Sequence, residues 1–502
     1  MRVPAACVAV AAMIEIGCVA HAGSAVAPVG GSEMSWRYDV VADERVRELR
    51  IEAWLPRGSL ADLVVRHGAE RFVDDVQVQR ADGWRDVPRR GDALHAPECA
   101  RGCHIRYRFA LRQAAQALNN TDMAIAWGDV VEASPSLWLL HPALAPAAAR
   151  YRFRVRAPRG VSFATGIFCA EDGVPDTYEA DASNISVAPY AAFGPLRVRR
   201  VEAVTGATLD VAIVPGNYQA TDDSLVDWVA KGARTMARFL GCFPLERVMV
   251  LLVPAKGDQV RHGETMGDGG ASMVIEVGEK ADAVALAEDW VLPHEMAHLA
   301  VPSLSRKHHW LEEGIAVYVQ PIARARAGDL APEQVWREFS EGMPRGVPVR
   351  SDLGLDDTPD WARTYWGGAT FCLVADLEIR KRTANRLGLE DALRGVLASG
   401  GSIARIWRFD RLLDTADASI GTSVFRSIDD EMGRVPWTID LPRLFRDLGV
   451  VKVGDAVSFV EDAPLAAIRR SITEPLPSDA PMPAVCRYGA PGRLAKTDER
   501  PR

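Results

Sequence analysis

Leu292-Pro293-His294-Glu295-Met296-Ala297-His298-Leu299 decides how the rest of the chain is read. On a helix, positions i and i+4 lie on one face about one turn apart, so His294 and His298 can hold one metal ion together. Glu295 then points beside the metal, where a carboxylate can take a proton from a metal-bound water. With ten His in 502 residues, a chance His-Glu-x-x-His is expected in on the order of one such sequence in a hundred. The flanks Trp290, Val291, Leu292, Met296 and Leu299 are apolar. The two imidazoles are therefore expected on a buried helix, where polar groups need partners. Pro293 costs nothing if that helix starts at Trp290 or later, because first-turn N–H groups have no intrahelical partner. Otherwise it kinks the helix just before the ligands.

A hydrolytic zinc site needs a third protein ligand and one open position for water. The extended His-Glu-x-x-His-x-x-Gly-x-x-His pattern is absent, since Val301 stands for the Gly and Leu304 for the last His. Further on comes Trp310-Leu311-Glu312-Glu313-Gly314-Ile315-Ala316-Val317-Tyr318. An apolar segment with embedded carboxylates predicts a second helix that delivers a Glu to the metal. The small Gly314 and Ala316 let helices approach closely.

Working outward, the grammar before and after residue 200 differs. Leu49, Ile51, Ala53 and Leu55 alternate with polar or aromatic neighbours, as do Ile105, Tyr107, Phe109 and Leu111, and Tyr151, Phe153 and Val155. Period-two runs separated by Gly, Pro and Asp predict an N-terminal antiparallel β domain with one wet face, over 23–200. Beyond it, Leu225, Trp228, Val229, Met236, Phe239 and Leu240 recur at helical spacing, with Asp222 or Asp223 as cap and Gly241 as terminator. Val248–Val253 and Met273–Val277 read as strands, giving an α+β unit over 201–344 with a buried sheet. Residues 345–474 are mainly helical, clearest at Phe371–Ile379 and Leu387–Leu397. Residues 475–502, rich in Pro, Ala and charge, form a flexible tail. The whole is a multidomain α+β chain.

Met1-Arg2, an apolar run from Val3 to Ile14 and the small residues Ala20 and Ala22 mark residues 1–22 as a secretory signal. The run is too short to span a bilayer, and no other segment serves, so no transmembrane helix is expected in the mature chain. Cys18 raises a lipoprotein alternative, against which Glu15 occupies a place where an aliphatic residue is expected. The protein is expected to be exported, periplasmic or extracellular. In such a compartment Cys99 and Cys103 are expected to pair, although nearby His95 and His104 invite zinc instead. A net charge of −8 with no long basic run leaves no footprint for nucleic acid. Composition assigns no oligomeric state.

The two central segments together resemble the gluzincin metallopeptidases, in particular the glycyl aminopeptidase family and, more distantly, the aminopeptidase N family. These carry Trp-Leu-x-Glu-Gly-x-(Ala/Thr)-x-Tyr as their third-ligand helix. The resemblance covers roughly residues 205 to 470. It implies a thermolysin-like catalytic domain in which His294, His298 and Glu313 hold Zn²⁺, Glu295 is the general base and Glu312 occupies a variable place. The linker is shorter than the roughly eighteen residues of the aminopeptidase N pattern, and His308 and His309 within it read as rim residues. Thr364-Tyr365-Trp366-Gly367-Gly368 is similar to the Tyr-x-Lys-Gly motif of these families, with Gly367 in place of the Lys. This makes Tyr365 the donor to the oxyanion. Residues 263–273 lie where relatives place a Gly-rich edge strand that pairs with peptide, implicating Gly270 and Ala271. Relatives follow those glycines with a Glu that grips a free α-amine. Ser272 stands in its place, so Asp268 is the nearest substitute and Glu264 competes. The resemblance therefore implies a zinc peptidase, an aminopeptidase acting on peptide substrates, and the signal segment implies its export. Two alternatives stand beside it: a non-catalytic zinc-binding protein, and a zinc hydrolase of other amides or esters.

Overall fold

The computed structural model describes residues 35–146, 148–477 and 481–487; the expected signal segment lies outside them. The alternating runs build a seven-stranded sheet. Its order is Thr177–Asp181, Arg150–Arg156, Ser35–Ala42, Leu49–Arg57, Arg101–Phe109, Val73–Arg80, Gly83–Asp86. Trp36, Tyr38, Val40, Leu49, Ile51, Ala53 and Leu55 face its core, as the period of two requires. One pairing departs from the antiparallel expectation. Ser35–Ala42 runs parallel to Arg150–Arg156, with Trp36 opposite Tyr151. These strands are far apart in sequence, so no hairpin sets their relative direction. Two four-stranded sheets complete this region, and Cys99 pairs with Cys103. The histidines that invited zinc there are engaged elsewhere: His95 with Asp62 at 2.7 Å, His104 with Gln79 at 2.9 Å and Glu52 at 3.0 Å.

The second region centres on a five-stranded sheet, in the order Arg197–Val204, Ala207–Ile213, Arg247–Ala255, Ser272–Gly278, Val260–Met266. Its three middle strands are parallel and its outer two antiparallel. Val248 to Val253 are fully buried because both faces are covered. Leu209, Val211, Val250 and Leu252 face the helices, whereas Ala212, Met249, Leu251 and Val253 pack against Val130, Tyr190, Ala192 and Leu196 of the N-terminal region. The helix Asp222–Leu240 ends at Gly241 in the left-handed region (φ 77°), as its sequence predicts. Its cap is Thr221, whose hydroxyl accepts from Ser224 N–H, while Asp222 is drawn off to Arg197.

Helices 332–342, 368–382, 389–398, 409–420 and 466–473 form the mainly helical region, with one hairpin, Val450–Val453 and Ala456–Phe459, among them. Part of the stretch expected as a loose tail is tied down. Cys486 is bonded to Cys242, Phe243 N–H donates to Ala484 O at 3.0 Å, and Val485 N–H donates to Thr205 O at 2.9 Å. Cys242 and Cys486 lie 244 residues apart, and nothing in the sequence around them marks that pairing. No helix among the described residues is long and apolar enough to cross a membrane.

Candidate metal centre

The helix Val291–His298 is preceded by Asp289, whose carboxylate accepts from Val291 N–H at 2.8 Å and Leu292 N–H at 3.0 Å. Pro293 is its third residue, so its missing N–H is one the helix does not use. His294 and His298 project one turn apart, their ring centroids separated by 5.1 Å. The second helix, His309–Arg326, brings Glu313 to them. Glu313 Oε2 lies 3.3 Å from His294 Nε2 and 3.8 Å from His298 Nε2. His294, Glu295, His298 and Glu313 are between 5% and 9% exposed.

Two ring nitrogens and one carboxylate oxygen thus converge in a nearly dry pocket. A tetrahedral zinc with bonds of about 2.0–2.1 Å has ligand–ligand edges of roughly 3.3 Å, so the spacing fits that ion. The protonation states fit as well. Burial pushes His298 down to about 4, keeping its lone pair free. Burial opposes ionisation of Glu313, but the imidazoles of His298, His294 and His309 around it outweigh that and hold the carboxyl far below its ordinary range. Neutral imidazole and ionised carboxylate are the forms a metal requires.

Glu295 follows His294 and points toward the edge strand Val260–Met266. Thr265 Oγ1 donates to its Oε2 at 2.7 Å. Gly263 makes room for it: a Cβ there would sit 2.5 Å from Glu295 Cγ. Burial, then the negative charges of Glu313 and Glu264, raise Glu295 to about 7, against the imidazole of His294 and the Thr265 hydroxyl. Neither Thr265 nor Gly263 stood out in the sequence.

Tyr365 lies on a π-helical turn, Arg363–Gly367, that leads into the helix Gly368–Arg382. Its ring is parallel to that of His294 at 6.3 Å and stacks on exposed Trp361 at 5.2 Å. Burial, then the charge of Glu313, raises its hydroxyl pKa, so it stays a neutral donor. The turn needs small residues. A Cβ on Gly367 would meet Arg363 Nη1 and Leu355 Cδ2, both at 2.8 Å, and Gly314 packs directly on Gly368. Tyr318 OH donates to Asp376 Oδ2 at 2.8 Å, tying the Glu313 helix to the one that follows Tyr365.

Residues 268–271 lie apart from this cluster. Gly270 pairs with Ile167, Ala271 N–H donates to Gly166 O at 3.0 Å and Ala271 O accepts from Met249 N–H at 3.1 Å. Their backbone is therefore committed within the protein, and the edge strand of the sheet is Val260–Met266. Asp268, with φ 67°, turns toward Ser303, and burial raises it to about 7.

The competing acid, Glu264, belongs to a second acidic cluster that the sequence does not mark. It lies beside Asp122, Thr121 and Tyr190, and burial raises its pKa. Glu132, on the buried strand Val130–Ala133, adds a carboxylate that is 0% exposed and has no hydrogen-bond partner. Burial, then the charge of Glu264, pushes Glu132 well above its ordinary range. Its only signal in the sequence is one acid inside the apolar run Val130-Val131-Glu132-Ala133.

Among solved structures, the chain is similar to an aminopeptidase N family protein from Idiomarina loihiensis. The TM-score is 0.61 and the identity 11%, over 83% of this chain and 78% of that one. This is the fold of an aminopeptidase N protein. An M1 zinc metallopeptidase from Deinococcus radiodurans is also similar, with a TM-score of 0.51 and 15% identity, over 81% of this chain and 95% of that one. No family model and no curated protein matches the sequence.

Proposed function

We propose that the protein is an exported, zinc-dependent aminopeptidase with a thermolysin-like catalytic unit. The observation that carries this reading is the convergence of His294 Nε2, His298 Nε2 and Glu313 Oε2 beside the Thr265-held Glu295. These three donors would hold Zn²⁺, which supplies Lewis-acid polarisation and a more acidic water. Glu295 accepts the proton of the attacking water and returns it to the leaving amine; an upward-shifted carboxyl suits both halves of that transfer. Tyr365 donates a hydrogen bond where negative charge develops on the scissile carbonyl oxygen. The edge strand Val260–Met266 offers unpaired backbone groups to an extended peptide. On that strand, Glu264, with the buried and unpartnered Glu132 behind it, is suited to receive the peptide's α-ammonium.

Hydrolysis of a mixed peptide pool, free and N-terminally blocked, tests this against Glu295→Gln. The wild type should release single N-terminal residues from free peptides only. The variant should keep its zinc and lose about 10²–10⁴ in kcat. Cleavage of blocked peptides would make the protein an endopeptidase. Equal rates for the two proteins would remove Glu295 as the base.

A further inference from the structure

The helix His309–Arg326 opens with three residues that touch one another in a chain. Leu304 N–H, in the segment joining the two site helices, donates to Glu312 Oε1 at 3.0 Å. Glu312 Oε2 meets His309 Nδ1 at 3.0 Å. His309 Nε2 in turn meets Glu313 Oε1 at 3.2 Å, while the other oxygen, Oε2, faces His294. Spacings of three and four place all three side chains on one face of the first turns. Both nitrogens of His309 are therefore committed to carboxylate oxygens, although half of its side chain is exposed.

A glutamate's last torsion is broad and roughly two-fold, so an unrestrained carboxylate can offer a metal either oxygen or both. A donor fixed on one oxygen removes that freedom. We propose that His309 is a positioning residue for Glu313. Braced by Glu312, it occupies Oε1 and leaves Oε2 alone to face His294 and His298. This rests on the zinc reading above. Glu312 thereby gains a task in the variable place of the motif, coupling the short connecting segment at Leu304 to the ligand helix.

Zinc affinity, measured by chelator competition on the stripped and reloaded full chain, tests the proposal without reference to turnover. His309→Ala should bind zinc about 10–100-fold more weakly than wild type, with the thermal midpoint of the metal-free protein unchanged. His309→Gln, whose amide can donate to the same oxygen, should recover most of that loss. Glu312→Gln should lose less than His309→Ala and add little to it in the double variant, because the two residues act in series. Affinity of His309→Ala within about twofold of wild type would overturn the proposal. So would a loss as complete as that of Glu313→Ala, accompanied by a changed cobalt(II) spectrum, which would make His309 a ligand. A wild type that takes up no zinc would instead fail the metal reading itself.

Discussion

Neighbouring residues of the edge strand Val260–Met266 belong to two acid-rich clusters that are balanced in opposite ways. Thr265 looks to one side, where Glu295 and Glu313 are surrounded by His294, His298 and His309. Its neighbour Glu264 looks to the other, where Glu132 and Asp122 add like charge and Tyr190 only a phenol. The nearest cation there, Arg66, already donates to the backbone carbonyl of Asp122. Buried carboxylates with imidazoles beside them form a site that a metal ion can complete. Buried carboxylates without a cation must stay protonated or wait for one. On the function proposed above, the first would perform the chemistry and the second would receive substrates that bring their own positive charge.

The comparison is broken most sharply at Tyr365, the proposed oxyanion donor beside His294. Tyr365→Phe should lower kcat by about 10²–10³, the usual cost of one oxyanion donor, with KM and zinc content little changed. Steady-state kinetics with zinc analysis checks this. A change confined to KM would place Tyr365 among the substrate contacts.

Glu264→Gln attacks the selective pocket instead. For peptides with a free amine, KM should rise by about 10–100-fold, because one charged hydrogen bond is lost and a neighbouring acid is left without its cation. Blocked peptides, poor substrates already, should be unaffected. A fall in kcat for both kinds would mean that Glu264 acts on Glu295 through its charge.

The two pockets were also unequally legible in the sequence. The metal centre lies on two helices: helical spacing turns His294 and His298 into one face, whereas the choice of Glu313 over Glu312 came from the resemblance to the gluzincin third-ligand helix and not from spacing. The acidic pocket is assembled from the strand Val130–Ala133, the turn at Thr121-Asp122 and the edge strand, which meet only through tertiary packing. Spacing carries no information about such a meeting. Asp268 shows the converse limit. Proximity in sequence to the glycines suggested a substrate role, but its left-handed backbone turns the carboxyl toward Ser303. The alternating strands foretold the N-terminal sheet face by face, yet not the parallel pairing of Ser35–Ala42 with Arg150–Arg156, because the pattern of buried residues is the same in either direction.

Glu132 offers the subtlest test, since the comparison predicts a pH dependence for its removal. In the folded chain its pKa stands well above 4.5, raised by burial and then by Glu264, whereas the unfolded chain titrates near the ordinary value. The folded state therefore holds this proton more tightly, and the stability linked to it is complete below the unfolded pKa. It is lost as pH rises from there toward the folded pKa, by up to about 1.4 kcal/mol per pH unit. Glu132→Gln keeps the shape and stays neutral. It should match wild type in acid and be the more stable protein at about pH 8, by about 1–3 kcal/mol. Thermal unfolding across that range measures the crossover. An amine ligand supplies the missing cation, so a peptide with a free N-terminus should stabilise wild type at high pH and do less for the variant. A constant difference between the two proteins at every pH would mean that Glu132 does not titrate there, and the contrast between the two pockets would lose its electrostatic basis.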